Sequence, residues 1–145
     1  VPAVITDIHE QVQQIPWLLT RFVQQTSGVT DAVCVSSDGL LMAMSTDLDR
    51  GRADQFAAIA AGLTSLSLGA SRCFGYGDVD QVMVEMSTGF LFVASISDGS
   101  CLGILADKSA DVGLVGYEMT MLVDRFGAVL TPQVRAGLRS ALAAA

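Results

Sequence analysis

The stretch VMVEMSTGFLFVASISDGSCLGILA, residues 82–106, decides the fold. Its three apolar runs are rich in Val, Ile, Phe, Leu and Met, which is the composition of strands. Ser87-Thr88-Gly89 and Ser97-Asp98-Gly99 separate the runs. Thr-Gly and Asp-Gly pairs suit tight hairpins, because glycine accepts the positive φ that such turns require. The stretch therefore predicts three consecutive antiparallel strands, at about 80–87, 90–97 and 101–107.

A third turn of this kind, Ser37-Asp38-Gly39, predicts a hairpin of strands at about 29–36 and 40–45. Helical patterns flank and separate the two groups of strands. Four helices are predicted. The first begins at Pro16, the second and third span about 51–71 and 111–127, and the last begins at Thr131-Pro132. The resulting order is α-β-β-α-β-β-β-α plus a short C-terminal helix. It predicts one domain over residues 15–142, preceded by a flexible arm over residues 1–14.

The composition limits the partners and the compartment. Half of the chain (51%) is hydrophobic and only 16% is charged, so we expect surplus apolar surface to be buried in a subunit interface. No stretch of about 18 residues lacks polar groups, which argues against direct membrane insertion. The net charge of −7 argues against nucleic acid. Three cysteines without C-x-x-C spacing predict reduced thiols and a cytoplasmic protein.

Residues suited to catalysis or metal binding are sparse. His9, the single histidine, lies in the polar arm, so no Ser–His–Asp or Cys–His pair can be assembled. Gly75-Tyr76-Gly77 is not followed by G-K-[ST], so it does not predict a phosphate loop. We expect no catalytic residue, no metal and no cofactor, and therefore no enzyme.

The central helix carries seventeen residues without a charge, QFAAIAAGLTSLSLGAS, residues 55–71. At 100° per residue, a bulky stripe forms that we expect to pack on the sheet, namely Phe56, Ile59, Leu63 and Leu66. The opposite stripe is small or apolar where a surface helix would carry Lys and Glu. This pattern predicts a helix-to-helix dimer interface at Asp54, Ala58, Ala61, Ser65, Leu68 and Arg72. The alternative is a helix buried beneath another helix of the same domain.

The ends of this helix indicate a two-fold axis and a partner contact. Asp54 and Arg72 are symmetric about Leu63, so an axis near Leu63 would place each aspartate beside the other protomer's arginine. Arg50 and Arg52 form an exposed basic pair at the helix start. They either mark a solvated helix entrance or contact an acidic or nucleotide-bearing partner.

Five segments resemble the roadblock/LC7 family, in its actinobacterial branch. They are WLLTRFV, SSDGLLMA, ADQFAAIAAGLTSLSLGASRCF, VEMSTGFLFVASISDGSCLGILA and VGLVGYEM. The resemblance covers about residues 17–142. It implies a two-layer α+β, profilin-like domain with a five-stranded antiparallel sheet, whose long helices pair in a homodimer. It also implies that the edge strand 80–87, with Val82 and Val84, joins the sheets of two protomers.

The same resemblance implies the partners. Members of this branch are encoded beside a Ras-like GTPase and a sensor-kinase-like protein, and the family has no motif-defined catalytic residue. The leading hypothesis is a non-enzymatic homodimer that binds a small Ras-like GTPase and modulates its nucleotide state. One alternative is a small-ligand sensor of the PAS or GAF kind, which needs a cavity between sheet and helices. Another is a purely structural scaffold for a kinase complex.

Overall fold

The computed structural model of the protein describes residues 7–144. Its helices and strands follow one another in the predicted order, which is confirmed. Their bounds are α1 (Ile8–Gln25), β1 (Val29–Val35), β2 (Leu41–Met44), α2 (Arg50–Phe74), β3 (Gln81–Met86), β4 (Gly89–Ser95), β5 (Cys101–Asp107), α3 (Val112–Val129) and α4 (Pro132–Ala144).

The five strands form one antiparallel sheet, as predicted, and β3 is an edge strand. Their order across the sheet is β2-β1-β5-β4-β3. Gly39 and Gly99 have φ of 85° and 89°, so they serve the turns as expected. Gly89 does not, because it begins β4 and is not among the glycines with positive φ. A Cβ at Gly89 would lie 3.0 Å from the Ala106 carbonyl oxygen, so glycine here permits close approach of β5.

Helices cover both faces of the sheet. The domain therefore has three layers, helices on each side of the sheet, where two were predicted. One core lies under α1, α3 and α4, and the other lies under α2. Alternate strand residues supply them: Ala32 and Cys34 of β1 enter the first core, whereas Val33 and Val35 enter the second. Strands buried on both faces carry near-continuous apolar runs, which explains the composition of β4 and β5.

The first helix begins earlier than predicted. Asp7 caps α1, its carboxylate accepting a hydrogen bond from the His9 amide at 2.9 Å, so residues 8–14 are helical and not part of an arm. The rest of the predicted arm, residues 1–6, lies outside the described residues. Pro16 lies inside the helix and removes one backbone donor. Val12 and Ile15 are buried in the core on the N-terminal side of Pro16, and this packing supports the extra turns.

Close packing of α2 on the sheet depends on small residues. Ala53, Ala57 and Ala60 are fully buried under the helix, and Phe56 packs over Gly103 of β5. A Cβ at Gly103 would lie 2.9 Å from Phe56 Cζ and 3.0 Å from Val33 Cγ2. The missing side chain at Gly103 therefore makes room for the Phe56 ring.

The last helix covers the β2 edge of the sheet. α4 packs on β2 and α1, with Val134 and Leu138 buried. Arg135 Nη1 donates to Asp98 Oδ2 at 2.7 Å and so ties α4 to the β4–β5 turn. Burial opposes the charged form of Asp98, but hydrogen bonds from Ser100 and Arg135 outweigh it and lower the pKa of this carboxyl.

Gly103→Ala should lower the free energy of unfolding by about 1–3 kcal/mol, because the added methyl group overpacks the contact with Phe56. In a Phe56→Leu background the same substitution should cost less, since the ring that it meets is gone. Urea denaturation of the four proteins measures this coupling. Additive effects would contradict the proposed contact.

Asp98→Asn should lower the free energy of unfolding at neutral pH by about 1–2 kcal/mol, because a charge-assisted hydrogen bond is lost. The pKa of Asp98 is lowered on folding, so its contribution is complete above the ordinary value of 3.8. It disappears as the pH falls through the lower, folded-state value. Denaturation at neutral pH and at pH about 2–3 should show the difference between the two proteins shrinking in acid. A constant difference would contradict this assignment.

Candidate protein-interaction surface

The outward face of α2 is exposed and carries no charge. Ile59 and Leu66 are 52% and 75% exposed there, and a Cβ placed at Gly62 or Gly69 would have no neighbour within 4 Å. Helical spacing places these residues on one face with five others. The complete face consists of Gln55, Ala58, Ile59, Gly62, Ser65, Leu66, Gly69, Ala70 and Cys73. A long uncharged face with exposed Ile and Leu side chains is typical of a site for protein association.

This face is rotated from the one predicted. Of the stripe expected on the sheet, Phe56 is buried and Leu63 is half-buried, whereas Ile59 and Leu66 point outward. The physical reason is that the small residues Ala53, Ala57 and Ala60 face the sheet and allow close approach. The periodicity showed two stripes but did not determine which of them faces inward.

The predicted interface residues divide accordingly. Ala58 and Ser65 lie on the outward face, but Ala61 and Leu68 are half-buried at its side. A Cβ at Gly39 would lie 3.3 Å from the Ala61 methyl carbon, so Ala61 adjoins the β1–β2 turn. Asp54 and Arg72 are both exposed.

The edge strand β3 lies beside this helix and pairs only with β4 among the described residues. Val82 and Val84, which the resemblance placed at the joint between two protomers, are half-buried and pack against the α2-side core of their own chain. Met83 and Met86 are 51% and 43% exposed. Since α4 covers the β2 edge, β3 is the sheet edge that the described chain leaves open, and an open edge is a template for strand pairing.

The two arginines at the start of α2 differ in their contacts. Arg50 Nε lies 3.2 Å from Asp54 Oδ1, and Arg50 Nη1 donates to the Leu142 carbonyl oxygen at 3.3 Å. Arg50 is therefore engaged with its own chain. The Arg52 side chain is exposed and has no ion pair within residues 7–144.

A hollow that sequence reasoning missed lies where α2 ends, with a volume of about 1010 Å³. Phe74 and Tyr76 are 72% and 84% exposed beside it, and their rings stack with centroids 6.4 Å apart. Three carboxylates also line it, from Asp78, Asp80 and Asp124. The sequence signal was Gly75-Tyr76-Gly77: both glycines have positive φ, and Gly75 caps the C-terminal end of α2.

Comparison with known proteins identifies the family. The family model of the Roadblock/LC7 domain matches residues 15–106, which include α2 and β3. The chain belongs to the Roadblock/LC7 family. A search of curated proteins finds no match.

Solved structures agree with this assignment. A Roadblock/LC7 domain from Streptomyces avermitilis is 44% identical, with a TM-score of 0.73, and the match covers 77% of this chain and 92% of that one. A second such domain from the same organism is 37% identical, with a TM-score of 0.64 and coverage of 77% and 97%. Myxococcus xanthus MglB has a TM-score of 0.73 at 16% identity, covering 80% of this chain and 94% of that one. The likeness to MglB shows the fold alone.

Within residues 7–144 of this Roadblock/LC7 domain, no group of three or more His, Cys, Asp or Glu side chains could hold a metal ion. Cys34 and Cys101 are buried free thiols, and burial raises the pKa of Cys101 to about 11. Cys73 is a free thiol exposed on α2. The buried thiols are therefore protonated and unreactive at neutral pH.

By length and composition, α2 could cross a membrane. This is weak evidence, because the core helix of a soluble protein passes the same test. One side of α2 is buried against the sheet by Ala53, Phe56, Ala57 and Ala60. That packing accounts for part of its apolar character.

Proposed function

We propose that this Roadblock/LC7 chain is a non-enzymatic homodimer that binds a small Ras-like GTPase and modulates its nucleotide state in a cytoplasmic signalling complex. The observation that carries the proposal is the uncharged outer face of α2 beside the open edge of β3. The exposed α2 face and the unpaired β3 edge would both be stabilised by burial against a partner. A second copy of the chain supplies a matching helix and a matching strand edge. A two-fold axis lets the same surface serve both protomers.

The energetics favour such a pairing. Burying a Leu or Ile side chain that is otherwise exposed contributes roughly 1.5–3 kcal/mol, and each protomer offers Ile59 and Leu66. Gly62 and Gly69 lack side chains, so a second helix can approach closely between these bulkier residues. Pairing of two β3 edges adds backbone hydrogen bonds along Gln81–Met86.

An axis near Leu63 would bring Asp54 of one protomer near Arg72 of the other. Asp54 already pairs with Arg50 in its own chain, so any contact with Arg72 is shared. Exposed ion pairs contribute only about 0–1 kcal/mol. The pair would therefore mark the register of the dimer and contribute little to its stability.

Leu66→Glu tests the dimer. Leu66 is exposed in the single chain, so the substitution should leave the fold intact, but in the dimer it would bury a charge without a partner. We expect a folded monomer by analytical ultracentrifugation. Leu40→Glu is the matched control, because Leu40 is also exposed, at 56%, and lies in the β1–β2 turn. A Leu66→Glu dimer as tight as the wild type would exclude the α2 face from the interface.

Arg52 is the candidate contact to the GTPase. It is exposed, it has no ion pair in the part of the chain that the structure describes, and it lies one turn from the uncharged face of α2. A regulator must bind one nucleotide form better than the other, because equal affinity shifts no equilibrium. Catalysis of GTP hydrolysis would remain the partner's chemistry, aided by positioning of its switch loops.

Arg52→Glu should weaken binding to a Ras-like GTPase encoded beside this chain and reduce the salt dependence of binding, because a rim charge is reversed. Affinities are measured for the GDP-loaded and GTP-analogue-loaded forms. We expect a preference of about tenfold, or 1.4 kcal/mol, for one form. Arg139→Glu is the control, because it makes the same change in charge at an exposed position of α4. Equal affinity for both forms favours the scaffold alternative, and unchanged binding removes Arg52 from the site.

The sensor alternative has less support. A PAS- or GAF-like sensor needs a cavity between sheet and helices, whereas the residues between these layers are closely packed. The two hollows described in residues 7–144 border the surface, one between α1 and α3 and one at the end of α2. A sensor-kinase-like protein would be the second partner within the proposed complex.

A further inference from the structure

A second surface lies on the opposite side of the sheet from α2. It is a groove of about 490 Å³ between α1 and α3. Phe22 and Leu122 are buried at its base, while Leu114, Tyr117 and Met121 are 45%, 62% and 46% exposed along it. Because α2 and β3 lie elsewhere, the groove stays open whether or not the proposed dimer forms.

The groove has the geometry of a helix-binding site. Its lining residues recur every three to four positions, at 18, 21, 22 and 25 of α1 and at 114, 117, 118, 121, 122 and 125 of α3. The stripe on α3 spans roughly 16 Å, or about three helical turns. Both walls are helices whose backbones are internally hydrogen-bonded, so they offer no strand edge to an extended peptide.

The charge of the groove contrasts with that of the chain. The chain carries a net charge of −7, yet Arg21 and Arg125 both line the groove, against one carboxylate, Glu118. Neither arginine forms an ion pair within residues 7–144. The Arg21 guanidinium lies 5.0 Å from the Trp17 ring centroid, which is a cation–π contact between two residues one helical turn apart on α1. Two cations beside an apolar floor are complementary to an amphipathic helix with acidic flanks.

We propose that the α1–α3 groove docks an acidic amphipathic helix of a partner protein, with apolar side chains on Phe22, Leu122 and Met121 and carboxylates on Arg21 and Arg125. This site is separate from the proposed GTPase contact at Arg52. A protomer could therefore hold two partners at once, on opposite faces of its sheet.

Trp17 makes the proposal testable without knowledge of the natural partner, because it is the only tryptophan of the chain and contacts Arg21. The probes are two synthetic peptides of about 18 residues, long enough to form a helix. They lack tryptophan, share one leucine face and differ only in carrying Glu or Lys on the flanks. The acidic peptide should shift Trp17 emission to saturation, and the basic peptide should not.

Arg125→Glu should weaken binding of the acidic peptide roughly three- to tenfold, because a rim cation becomes a repelling anion. Arg125 is exposed and has no ion pair among the described residues, so its reversal should leave the fold unchanged. Arg139→Glu on α4 is the matched control and should bind as the wild type does. Leu66→Glu should also bind the acidic peptide as the wild type does, because Leu66 lies on α2 and not in the groove. This result would show that peptide binding does not depend on the proposed dimer.

The following results with the peptides, the variants and lipid vesicles would overturn the proposal. They are no shift with the acidic peptide, equal shifts with both peptides, equal weakening by Arg125→Glu and Arg139→Glu, and a response to anionic phosphatidylglycerol vesicles in place of the peptide. The last would indicate a membrane surface. A Trp17 emission that changes with protein concentration alone would show that a second copy occupies the groove, which also overturns it.

Discussion

The contact of Phe56 with Gly103 fixes how α2 is oriented on the sheet. Gly103 leaves space on β5 that the Phe56 ring occupies, and Ala53, Ala57 and Ala60 allow α2 to lie close to the sheet. A helix held in this orientation must turn Ile59, Gly62 and Leu66 outward. The uncharged outer face is therefore a consequence of how the inner face packs. A bulkier residue at position 103 would require α2 to move away or to rotate.

The two edges of the sheet differ, because a helix covers one of them and the other is open. α4 covers β2 and is held by the ion pair between Arg135 and Asp98. β3 keeps an open edge with exposed Met83 and Met86. Natural proteins usually protect an open edge with charged side chains, proline or a covering element. The Gln81–Met86 strand contains no lysine or proline, and its one charged residue, Glu85, pairs with Lys108 Nζ at 2.7 Å. An edge of this kind, beside the uncharged face of α2, supports the proposed dimer.

The surfaces of the domain also separate by charge. The α2 face is neutral, the hollow at the end of α2 is lined by carboxylates, and the α1–α3 groove carries two arginines. Because the sheet lies between α2 and the groove, partners on the two sides would not collide. This arrangement is compatible with a regulator that binds a GTPase on one side of its sheet and a helical partner on the other, as proposed for this Roadblock/LC7 chain.

The amino-acid sequence by itself determined the order of the helices and strands, the antiparallel hairpins and the family. These features depend on local signals, such as Asp38-Gly39 and Asp98-Gly99 turns and apolar runs of strand length, which act over a few residues. The charge-free stretch of α2, residues 55–71, is equally local and was visible in the sequence. Its helical periodicity also showed two apolar stripes of nearly equal character.

Only the tertiary structure decided which stripe faces the sheet, that helices cover both of its faces, and that α1 begins at Ile8. Each of these depends on residues distant in sequence: Gly103 receives Phe56, and Val12 packs against Gly137 of α4, where an added Cβ would collide with Val12 Cγ2. The α1–α3 groove likewise joins positions about 100 residues apart, such as Arg21 and Arg125. Periodicity identifies the apolar stripes of a single helix. Which of these stripes is buried depends on the shape of the sheet surface that the helix packs against.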